Sequence, residues 1–112
     1  KLPGVALNSQ TSEVFSEAAL DENILTLHPQ GKQGVNISRA KYDVIRAAIL
    51  EVAGAQGEVA FKDLPAAVET ELHEPFDGSL SWYVTTVKLD LEARGLLERV
   101  PRSSPQRLRL VQ

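Results

Sequence analysis

The sequence predicts an α+β fold, with three helices forming the core and short β-hairpins flanking it. Three observations carry that expectation. Apolar residues recur at spacings of three and four in three separate stretches, each closed by a glycine or a turn. Short β-prone runs joined by proline and glycine lie around them. The chain has 112 residues, enough for one modest core.

In chain order, "TSEVFSEAAL" (11–20) offers caps at Thr11 or Ser12 and favours a short helix that ends before "DEN". Residues 1–23 form an N-terminal segment ahead of a domain spanning 24–112. That domain opens with "ILTLH" (24–28) and "GVNIS" (34–38), which flank "PQGKQG". Turn chemistry between two β-prone runs predicts a β-hairpin.

Ser38 then presents a hydroxyl to the free N–H groups of a helix reaching about Ala53. Tyr42, Ile45, Ile49 and Val52 share its inner face, and "GAQG" (54–57) stops it. "EVAF" fits one short strand. "KDLPAAVETELHE" reads as a second helix with Leu64, Val68 and Leu72 on one side, and Pro65 is tolerated if it lies in the first turn. After "EPFDGS" a third helix runs from near Ser79 to Gly95, with Leu80, Val84, Val87 and Leu91 on its core stripe. "LLERV" and "QRLRLV", joined by "PRSSP", form a last hairpin. Alternation puts Leu108 and Leu110 inside, Arg107 and Arg109 outside.

Helix, short strand, helix, turn, helix and hairpin is the element order of a winged helix-turn-helix, here with an N-terminal β-hairpin extension. From roughly Ile24 to Leu110 the chain resembles an uncharacterised bacterial family of small winged-helix proteins, on "AKYDVIRAAIL" in the first helix and "WYVTTVKLDLEARGLLERV" leading into a wing that ends "PQRLRL". More widely, "KLDLEARGLLERV" is similar to the end of the recognition helix in many bacterial winged-helix regulators. The narrower family brings no activity with it. The wider resemblance implies a transcriptional regulator that binds double-stranded DNA, its third helix in the major groove and its wing along the backbone.

Charge supports that implication in part. Residues 1–80 hold six Lys/Arg against twelve Asp/Glu, a balance of −6, and residues 81–112 hold six against three, a balance of +3. A basic C-terminal third suits phosphate contact. The expected DNA contacts are Arg99, Arg102, Arg107 and Arg109 on the wing, with Arg94 nearby, and Ser81, Tyr83, Thr85 and Lys88 on the third helix. The same arginines also suit a charged edge that discourages strand-to-strand aggregation.

The third helix itself argues less well for DNA. Trp82, Thr86, Leu89 and Ala93 recur at spacings of four, three and four nearly opposite the core stripe, flanked by Asp90 and Glu92, whose charge repels phosphates. A contiguous apolar strip marks an interface, and three covers suit it: the N-terminal hairpin, a second copy in a homodimer, or another protein. Trp82 equally suits simple packing near the turn. DNA binding is the expectation. The alternative is a protein-interaction or dimerisation module using this strip.

Other classes find little in the sequence. Without cysteine there is no disulfide framework and no thiolate metal site. His28 and His73 lack partners at metal spacing, so no metal and no cofactor is expected. Glu69, Glu71 and Glu74 read as a solvated face. No phosphate loop or nucleophile motif appears, so the protein is not expected to be an enzyme or to hold a small-molecule ligand. No apolar run reaches the ~18 residues of a membrane span, which makes the cytoplasm the expected compartment. The chain opens at Lys1 and contains no methionine, so its natural start is expected to lie upstream.

Overall fold

The computed structural model describes residues 22–112. The helix expected over 11–20 lies outside those residues. The described chain is a mixed α+β fold of three α-helices and two small antiparallel sheets.

Strands β1 (Asn23–Leu25) and β2 (Asn36–Ser38) pair with Ile24 opposite Ile37, so the leading hairpin forms as expected but with shorter strands. Beyond Leu25 the two arms stay joined by Thr26. Its amide donates to the Val35 carbonyl at 2.8 Å, and its hydroxyl accepts from the Val35 amide at 3.0 Å. Glycine is needed at position 34, because a Cβ there would stand 1.7 Å from the Thr26 carbonyl oxygen.

Helix α1 (Arg39–Gln56) starts where Ser38 accepts a hydrogen bond from the Lys41 amide. It runs one turn further than the sequence suggested, through Gly54, and stops at Gly57. Strand β3 is only Val59–Ala60, and a 3₁₀ turn over Phe61–Asp63 replaces the rest of "EVAF" and the start of the expected second helix. Helix α2 (Leu64–Glu71) follows, with Pro65 in its first turn. Helix α3 (Leu80–Ala93) is capped by Ser79, whose hydroxyl accepts from the Trp82 amide. Gly95 ends it at φ 81°, a left-handed conformation in which the Leu96 amide reaches back to the Leu91 carbonyl at 2.9 Å.

Strands β4 (Leu97–Arg99) and β5 (Arg107–Leu110) form the C-terminal hairpin. β5 also pairs with β3, giving a three-stranded sheet in the order β3-β5-β4. Alternation along β5 holds as expected: Leu108 is fully buried, while the Arg107 and Arg109 side chains stand at the surface.

The core lies where the three helices meet the sheet. Tyr42, Ile45, Ile49 and Val52 of α1 pack with Leu64 and Val68 of α2, Val84, Val87 and Leu91 of α3, and Leu97 and Leu108 of the sheet. Burial of each large aliphatic side chain contributes about 1.5–3 kcal/mol. This face-sharing fixes the orientation of α3, and with it what the helix turns outward.

Candidate interaction face on the third helix

All three charged residues of α3, Lys88, Asp90 and Glu92, are turned inward, with side chains no more than 8% exposed. Asp90 is 0% exposed. Its Oδ1 accepts from the Leu27 amide at 2.9 Å, and its Oδ2 accepts from the Tyr42 hydroxyl and from Arg94 Nε at 2.8 Å. The carboxylate therefore ties the leading hairpin, α1 and α3 together. A buried carboxylate is tolerated only with such a full set of donors. Burial pushes the Tyr42 hydroxyl pKa up, and the bond to Asp90 and its negative charge add to that; the same carboxylate raises Arg94.

Lys88 is likewise buried. Its ammonium pairs with Glu92 on the next turn and lies 4.8 Å from the centre of the Phe61 ring. The other Glu92 oxygen meets Arg99 Nε at 3.4 Å. Burial lowers the Lys88 pKa, while the hydrogen bond and charge of Glu92 work against that shift.

These positions revise the picture of the helix surface. Asp90 and Glu92 do not flank an exposed face, and Lys88 is enclosed by Phe61 and Glu92 instead of standing free for a phosphate. The sequence held a signal for this. Lys88 follows Val84 by four and precedes Leu91 by three, which places it beside the core stripe.

The remaining helix positions divide into two groups. Ser81 is exposed and Thr85 half-buried. Tyr83 is the middle of an aromatic row, edge-on to Phe76 at 4.9 Å and to Trp82 at 5.0 Å, with Lys41 Nζ 5.4 Å from its ring centre. Trp82, Thr86 and Leu89 come together as the sequence suggested, and they do so against the distal part of the leading hairpin. With Leu27, His28 and Val35 they line a cavity of about 130 Å³. Ala93 continues the helix at half-burial but does not line that cavity. Trp82 remains 45% exposed, Leu27 44% and Val35 38%, so the hairpin partly covers the strip and extends it with its own apolar side chains.

The hairpin arginines are engaged with acids. Arg109 Nε lies 2.6 Å from Glu98, the residue opposite it in the ladder, and Arg107 Nε lies 3.3 Å from Glu58. Arg99 meets Glu92 and Arg94 meets Asp90. Arg102 stands exposed in the turn at φ 62°, without an ion pair to the described residues. Asp90, Glu92 and Glu98 already count in the +3 balance of residues 81–112, so Glu58 is the one acid these pairs bring in from outside that stretch, and the arginines are locally paired while most of its basic excess remains.

Among the described residues no group of three His, Cys, Asp or Glu side chains is arranged to hold a metal ion, and no helix is long and apolar enough to cross a membrane.

Over residues 23–108 the chain matches DUF6958, a family of unknown function, and it belongs to that family. No curated protein and no solved structure is similar to it.

Proposed function

We propose that this chain is a non-catalytic winged helix used for protein association, with the Trp82, Thr86 and Leu89 strip and the adjoining Leu27 and Val35 as its contact surface. The order of elements supports the winged-helix reading, with β4 and β5 as the wing and β3 completing its sheet. The observation that carries the function is the position of the leading hairpin. It lies along the outward side of α3, the side a winged helix would offer to the major groove, and is fastened there through Leu27 and Asp90. A duplex approaching that side meets the hairpin, with Lys32 exposed at its tip, and an apolar surface whose lining holds no Lys or Arg. Apolar surface of this kind is stabilised by covering it with another protein surface.

A second copy is the simplest partner. The outer edge of β1 pairs with no other strand among the described residues, and Leu25 beside it is 61% exposed. Edge pairing about a two-fold axis would join the two hairpins and bring both apolar strips together. Sedimentation equilibrium tests this. A dimer that the substitutions Trp82→Ser and Leu27→Ser weaken, with the fold intact by circular dichroism, is the expected result. A monomer at high micromolar concentration contradicts self-association.

One observation favours DNA binding as the second reading. Arg102 is exposed, and the side chains of Arg99, Arg107 and Arg109 are 52%, 44% and 40% exposed, so each of those three could exchange its carboxylate for a phosphate at small cost. In that reading the arginines contact the backbone and Ser81 and Thr85 approach the bases.

A further inference from the structure

Among the described residues, His28 is the one ionisable side chain lining the cavity between the leading hairpin and α3, where it shares the wall with Trp82, Thr86 and Leu89. It is half-buried and opens the hairpin's turn, its carbonyl accepting from the Gly31 amide at 3.0 Å. The ring is held by the same turn: Nδ1 accepts a hydrogen bond from the Gln30 amide at 3.1 Å. Such a bond needs a lone pair on Nδ1, which only the neutral imidazole has. A proton there would set two donors against each other.

We propose that His28 is a proton switch on the Trp82 strip: the neutral ring lets a second copy cover the strip, and the protonated ring keeps it uncovered. The inference rests on the association reading above and adds the regulation of that same surface. Covering the strip withdraws water from the imidazole, and a charged ring in an apolar contact is costly unless a counter-charge meets it. Among the described residues no carboxylate lines the cavity to supply one. On α3, Asp90 reaches the neighbouring Leu27 amide but is already engaged with Tyr42 and Arg94 as well. Lys88 and Glu92, the other charged residues of that helix, pair with each other beside Phe61. On the hairpin, Lys32 adds positive charge at the exposed tip, and Glu22 stands beyond the opposite end of β1. In a two-fold dimer each copy brings its own His28, so acidification places two positive charges in one interface.

The test is sedimentation equilibrium at about pH 7.5 and about pH 5.5, a range across which imidazole titrates. Emission from the chain's single tryptophan, Trp82, is recorded on the same samples, and circular dichroism checks that the fold is retained. The dimer is expected to weaken about ten-fold on acidification, with Trp82 emission shifting as the strip opens to water. His28→Asn keeps an acceptor oxygen for the Gln30 amide and stays neutral throughout, so its dimer should hold at both pH values. His73→Asn, in the α2–α3 connection, should retain the response of the unaltered chain. A dimer of equal strength at both pH values overturns the switch and leaves the association reading in place, and so does a His28→Asn dimer that still weakens in acid. A monomer at both pH values overturns the association reading and the switch with it.

Discussion

The Leu27 amide donates a hydrogen bond of 2.9 Å to the buried carboxylate of Asp90, across sixty-three positions of sequence. That single contact joins the leading hairpin to α3 and decides what surface the helix can offer. Tyr42 and Arg94 complete the set of donors, so the carboxylate serves as an internal bracket and is unavailable to solvent.

Removing that bracket should be costly. Asp90→Ala leaves the Tyr42 hydroxyl and the Leu27 amide without their acceptor and is expected to lower stability by about 3–5 kcal/mol. The midpoint of urea unfolding reads this directly. Asp90→Asn keeps an acceptor oxygen and should cost less.

The same network predicts an alkaline signature. Tyr42 has its pKa raised above the ordinary value of 10.0, so the folded state holds that proton more tightly than the unfolded chain does. The stability this contributes is fully present below about pH 10 and is lost as pH rises through the folded value. Ultraviolet titration should show Tyr42 ionising above the ordinary tyrosine range, and Tyr42→Phe should remove that transition.

Lys88 and Glu92 form a buried pair, and such pairs are fragile to single truncation. Glu92→Ala strands the Lys88 ammonium between α3 and Phe61 and is expected to cost about 3 kcal/mol. Lys88→Met keeps the packing and removes the charge that needs compensation, so it should cost less. Thermal melts of the two variants compare them.

Gly34→Ala is expected to disrupt the hairpin, since the added Cβ meets the Thr26 carbonyl at 1.7 Å and the two arms must separate. Amide exchange should then accelerate at Val35 and Leu27 ahead of the helices.

Most of the fold was legible because periodicity and caps speak locally. Ser38, Ser79 and Gly95 mark helix ends by chemistry that involves only their neighbours, and the core faces of α1 and α3 follow from spacing alone. What stayed hidden depends on partners distant in sequence. Asp90 reads as a surface acid until Leu27 and Tyr42 are brought to it. The arginines read as a free positive edge until Glu58 and Glu98 are placed beside Arg107 and Arg109. Strand β3 was expected, but its shortening to two residues follows from the 3₁₀ turn that begins at Phe61. The gathering of Trp82, Thr86 and Leu89 was visible on a helical wheel, whereas the hairpin lying against them was one of three covers the sequence left open.

The outward side of α3 and the neighbouring arginines are proposed to serve protein association, with DNA as the second reading. Fluorescence polarisation of a labelled random duplex, titrated with protein at low and at near-physiological salt, tests that most directly when repeated with Arg107→Ala and Arg109→Ala. A protein-association surface predicts at most weak binding at low salt and none at physiological salt, with little change on losing the two arginines. Tight binding that falls steeply with salt and disappears with Arg107 and Arg109 would contradict it and make the wing a phosphate clamp.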